Sequence, residues 1–195
     1  ANAFYGAGLV FSMKDTHPDY PSLVLSNYIL GGGSLASRLG TRVRQKEGLS
    51  YGIFSMFGAG SVNPRGSLTI VAISNPQNSP KVVTAIRDEI DKFLKSGVTQ
   101  EELAAAQTGY LQARKVGRTD DARLAGLLNA TLFSKRTLKF HAELEQRIAN
   151  TTPDSVLSAT RKYFDPNKLF IVTAGDFDKK PVDKKPVDKK PGTKK

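Results

Sequence analysis

At 195 residues, with 39% hydrophobic and 24% charged side chains, the chain has the size and balance of one folded domain with an appendage, not of a disordered protein. No apolar run reaches the roughly 18 residues that a membrane-spanning helix needs, and the absence of Cys removes disulfides and thiol chemistry. The net charge of +11 divides unevenly: residues 178–195 hold eight Lys against three Asp. The +6 left on residues 1–177 is too dilute to call for nucleic acid or another polyanion.

The chain opens at Ala1 with neither an initiator Met nor a charged-then-apolar leader, so it reads as a processed chain or an excised piece. Residues 4–13 form a β-rich run with several Gly, suited to a strand with close neighbours. Asp19, as an acidic cap, and Pro21 start a helix that three glycines at 31–33 stop. Ser34 then caps a second helix with Leu35, Leu39 and Val43 on one face, ending near Glu47 and Gly48. Strands at residues 51–57 and 67–74 flank a Gly-rich loop and make a hairpin.

Pro80 opens a long amphipathic helix that Gly97 closes, and Thr99 with Glu102 forms a capping box for the next. Residues 120–133 and 138–149 are helical, Thr152 and Pro153 start a last helix to about Phe164, and residues 169–174 make a short apolar strand. Early strands, central helices and a closing strand predict an α+β two-layer sandwich, a mostly antiparallel sheet with helices on one face. From Asp178 a five-residue Lys/Pro repeat begins. It has almost no apolar surface to bury, so residues 1–177 are expected to be the domain and 178–195 a disordered tail, either a solvated end, a spacer or a tether to an anionic surface.

Chemistry is mostly excluded. His17 and His141 are the only histidines, and neither lies in H-x-x-E-H, where two His one turn apart share a metal and a Glu acts as base. No metal site is expected in this chain. The segment GGGSLASRLG lacks a G-K-[ST] ending and follows a helix, so it is not a phosphate loop. There is no G-x-S-x-G elbow for a nucleophilic serine, and no pair of carboxylates stands out.

What remains is residues 27–51, NYILGGGSLASRLGTRVRQKEGLSY. It resembles the C-terminal-type repeat of the pitrilysin, insulin-degrading-enzyme and mitochondrial-processing-peptidase family of zinc metallopeptidases. There a helix leads into a Gly-rich break, then S-R-L (Ser37, Arg38, Leu39) and R-x-x-x-G-L-x-Y (Arg44, Gly48, Leu49, Tyr51). The opening strand with its H-P-D-Y continuation, the G-V-T-x-x-E-L helix start at Gly97 and the closing L-F-I-V-T-A-G-D extend the resemblance over roughly residues 1–176.

The resemblance implies a half-domain that faces a homologous zinc-binding partner carrying H-x-x-E-H, with the zinc in that partner and peptide substrate between them. It implies that Arg44 and Tyr51 reach the substrate: a Tyr hydroxyl can donate to a scissile carbonyl as charge develops, and a permanently charged Arg can hold it. Without the resemblance, Arg44 reads as a solvated helix-end cation and Tyr51 as a packing residue. Two alternatives stand beside this reading, a non-enzymatic scaffold subunit of the same fold and a basic tethering protein whose tail binds. Family habit suggests the periplasm, with the mitochondrial matrix or cytoplasm as alternatives.

Overall fold

Strict alternation builds the sheet. In the computed structural model, which describes residues 2–178, β1 (Ala3–Phe11) buries Ala3, Tyr5, Ala7 and Leu9 and turns Phe4 and Val10 outward. Period two is what a half-covered strand requires. β3 (Gly66–Ser74) does the same with Leu68, Ile70 and Ala72 inside, and pairs with β1 from Ala3 opposite Ser74 to Phe11 opposite Gly66. With β2 (Ser50–Ala59) and β4 (Phe170–Ala174) the order is β2-β3-β1-β4, antiparallel throughout.

One face of the sheet carries the helices: α1 (Tyr20–Asn27), α2 (Ser79–Ser96), α3 (Gln100–Gly117), α4 (Asp121–Phe133), α5 (Leu138–Ala149) and α6 (Pro153–Tyr163). Between the layers, Leu39, Val43, Ile70, Val82, Ile86, Phe93, Leu103 and Ile148 form the main core. The other face keeps Phe4, Val10, Tyr51, Phe54, Met56 and Ile73 exposed. This is the expected α+β two-layer sandwich. The capping box holds as read: the Glu102 N–H donates to Thr99 Oγ1 at 3.2 Å and the Thr99 N–H to Glu102 Oε2 at 3.1 Å.

Three local expectations need correction. The glycines at 31–33 do not stop α1; it widens into a π-helical turn over Tyr28–Gly32. The reason is contact: a Cβ on Gly31 would stand 2.7 Å from the Ser55 backbone nitrogen, so only Gly lets this turn lie against β2. Ser34 does not cap the second helix, because it sits at φ 57°, and Leu35 is exposed. Ser37 caps instead, its Oγ accepting the Gly40 N–H at 3.2 Å, and a π-helical segment runs through Gly40–Lys46. Asp19 makes no cap hydrogen bond; its carboxylate accepts from Lys162 Nζ at 3.0 Å. The Lys/Pro repeat lies, beyond Asp178, outside the described residues.

Candidate functional site

Residues 37–51 carry the motif, and most of them are committed to the fold. Ser37 is the cap, and Leu39 and Val43 are fully buried. Arg38 forks onto Glu102 at 2.9 and 2.7 Å, donates to the Gly97 carbonyl at 2.8 Å and stacks 4.8 Å over the Phe93 ring. It thereby ties this segment to the end of α2 and the start of α3, and its guanidinium holds the Glu102 carboxyl below the usual range. Arg42 donates to Glu47 at 2.9 Å, Asp88 at 2.8 Å and Glu89 at 3.2 Å. Those carboxylates, Asp88 first, raise its pKa further.

Arg44 differs. It is exposed, and among the described residues it has no hydrogen-bond or ion-pair partner. Seven residues on, Tyr51 is 63% exposed at the start of β2. No hydrogen bond joins the two side chains.

Tyr51 owes its direction to a β-bulge. Ser50 pairs with Ser74 and Gly52 with Ile73, leaving Tyr51 as the extra residue. Beyond the bulge Ile53 and Ser55 point into the helix layer, and strict alternation back from Ile53 would bury Tyr51 as well. The bulge turns it to the open face, alongside Phe54 and Ile73. Ser50 fastens the bulge: its buried hydroxyl accepts the Gly52 N–H at 3.2 Å and lies 2.7 Å from the Gly52 carbonyl and 2.8 Å from that of Ile73, donating to one or the other.

The link between the two residues is also fixed. Gly48 takes φ 61° with open space where a Cβ would be, so its need is conformational, not steric. The Leu49 N–H then donates to the Val43 carbonyl at 2.9 Å. Residues 43–52 are thus pinned to helix and sheet at several points, with Arg44 and Tyr51 projecting free. Ser50 and the bulge escaped the sequence reading; the Gly that follows Tyr51 inside a strand was the one available signal.

The residues present do not fit zinc. His17 Nδ1 accepts the Asp19 N–H at 3.1 Å and its Nε2 lies 3.4 Å from the Tyr163 hydroxyl, while His141 Nε2 is 2.8 Å from Thr131 Oγ1. Among the described residues no three His, Asp or Glu gather where a metal could be held.

Residues 3–110, more than half of the chain, match the model of the Peptidase M16 inactive domain. A zinc protease of Streptomyces coelicolor, SCO5738, is 32% identical over 136 residues, covering 69% of this chain and 29% of its own length. The Non-peptidase homolog YmxG of Helicobacter pylori is 30% identical over 105 residues, covering 54% and 24%. The chain therefore matches less than a third of either curated relative. The structure of a peptidase M16 inactive domain from Pseudomonas fluorescens aligns with TM-score 0.74 and 29% identity over 89% of this chain and 41% of that one. The periplasmic protease PqqL of Escherichia coli shares the fold alone, at TM-score 0.66 and 18% identity over 88% and 19%. No described helix is long and apolar enough to cross a membrane. The chain belongs to the peptidase M16 inactive-domain family.

Proposed function

We propose that this domain is the non-zinc-binding half of a zinc metalloendopeptidase acting on peptides or unfolded protein. Residues 1–177 form the half that closes the substrate chamber against a homologous domain bearing H-x-x-E-H, which supplies the zinc and the water activation. From this side Tyr51 donates its hydroxyl proton to the scissile carbonyl oxygen as negative charge builds there, and Arg44 adds a fixed positive charge that holds substrate and favours that oxyanion. The observation that carries the reading is the contrast inside one segment: Arg38 and Arg42 are locked into the fold, whereas Arg44 is unpaired among the described residues and a bulge turns Tyr51 outward. An inward Tyr would have kept the alternation. The periplasm is the compartment we favour.

A scaffold role is the second reading, and the relative described as a non-peptidase homolog favours it. The two separate on mixing with a zinc-bearing partner. The chain alone should hold no zinc after dialysis and leave a quenched peptide intact, while addition of the partner should give chelator-sensitive hydrolysis exceeding that of the partner alone. Stoichiometric zinc in the isolated chain would overturn the assignment, and a partner no faster with the chain than without it would leave the scaffold.

A further inference from the structure

Arg44 hangs from a segment that is wound in an uncommon way. Over Gly40–Lys46 the helix is π-helical, and the Glu47 N–H donates to the Arg42 carbonyl, five residues back, at 3.0 Å. Such turns are rare, so something local has to favour one here. Arg42 supplies it. Its Nε donates to Glu47 Oε1 at 2.9 Å, so main chain and side chains close the same five-residue step twice. In an α-helix, at about 100° per residue, residues five apart stand about 140° from each other around the axis. Their side chains diverge there, and the Arg42–Glu47 bond therefore favours the wider turn.

The rest of the same guanidinium seats the segment on α2. Nη2 donates to Asp88 Oδ2 at 2.8 Å, and Nη1 lies 3.2 Å from Glu89 Oε1 and 3.4 Å from the Ala85 carbonyl oxygen. Lys92 also reaches Glu89, at 3.3 Å, but among the described residues no other cation meets Glu47 or Asp88. Arg38 is no substitute, because its fork is spent on Glu102. Residues two apart leave a helix on nearly opposite sides. With Arg42 drawn onto α2, Arg44 leaves on the side away from it, where it is exposed.

We infer that Arg42 is a positioning residue for Arg44. Its guanidinium fixes the π winding through Glu47 and the seat on α2 through Asp88 and Glu89. Together these set the direction in which the Arg44 side chain leaves the backbone. Arg44 is long and unpaired among the described residues, so a fixed root is what narrows the space its charge searches. Arg42 touches no substrate; its effect passes through Arg44. That the direction of Arg44 matters for cleavage rests on the function proposed above.

Because the sequence holds no Cys, the aim can be measured in the complete chain. Arg44→Cys and Val10→Cys, the second at an exposed position of β1, each carry a nitroxide, and pulsed electron spin resonance reads the distance between them. Arg42→Ala removes the whole clamp, and Glu47→Ala breaks only the five-residue bridge. The Glu47 side chain is 38% exposed, so Glu47→Ala should keep the parent's melting temperature even where Arg42→Ala does not. Both should shift or broaden the distance distribution, Arg42→Ala more. Arg42→Lys should not restore it, since one ammonium cannot fork to Glu47 and α2 together. A distribution left unchanged by either alanine variant overturns the clamp, and no partner enters that measurement. In the enzyme completed by its zinc-bearing partner, Arg42→Ala should lower kcat/KM about tenfold, but less than about twofold in an Arg44→Ala background. Equal falls in both backgrounds would overturn the inference in favour of a merely structural Arg42. A broadened distribution with kcat/KM unchanged would leave the aim standing and remove Arg44 from the proposed chemistry.

Discussion

Arg42 and Arg44 sit two residues apart on the same helical segment, yet one is held by three carboxylates and the other by none among the described residues. The first residues of β2 divide in the same way. Ile53 is buried against the helices, and Tyr51 stands 63% exposed across a bulge. Within fifteen residues the chain alternates between side chains that hold the fold and side chains that the fold merely presents. The lesson is that burial and partners, not residue type or motif membership, separate structure from function here.

The comparison breaks if the first group proves dispensable for folding. Leu39 is fully buried at the centre of the main core, so Leu39→Ala should cost about 2–5 kcal/mol in urea unfolding. Arg42→Ala leaves the mostly buried Glu89 with only Lys92, at 3.3 Å, and takes the guanidinium from Glu47 and Asp88. Because the Arg42 side chain is itself 22% exposed, about 1–3 kcal/mol is expected, below the cost of breaking a fully buried pair. Arg44→Ala, by contrast, should stay within about 0.5 kcal/mol of the parent. Equal losses for the two arginines would erase the distinction.

A pH series sharpens the same point on the structural side. Arg38 depresses the Glu102 pKa against the opposing pull of partial burial. A depressed carboxyl contributes stability that is fully present above its unfolded value, about 4.3, and is lost as pH falls through the lower folded value. The urea midpoint should therefore decline on acidification below about pH 4.3, and Glu102→Gln should flatten that decline. An unchanged acid limb in Glu102→Gln would remove the Arg38 pair from the fold's support.

Much of this was legible in the sequence. Alternation marked β1 and β3, Thr99 and Glu102 announced a capping box, and the spacing of Leu39 and Val43 marked a buried face. The sequence pointed to Ser34 as the cap and not to Ser37, because the outcome depends on a π-helical turn that Gly31 allows by its approach to Ser55, a contact 24 residues away in the chain. That Arg42 is locked into the fold was not legible either, since Asp88 lies 46 residues from it. The bulge was hidden for a related reason: Tyr-Gly in a strand is compatible with smooth pairing, and only the register against β3 reveals the extra residue.

The central claim is that Tyr51 is presented for chemistry and not for packing. Its most direct test is single-turnover cleavage of a peptide by the chain saturated with its zinc-bearing partner, comparing Tyr51→Phe with the parent. Deleting a donor aimed at a developing oxyanion commonly costs about 10²–10³ in rate. We expect a fall of at least about tenfold, with melting temperature and partner affinity unchanged. A Tyr51→Phe enzyme as fast as the parent would contradict the account.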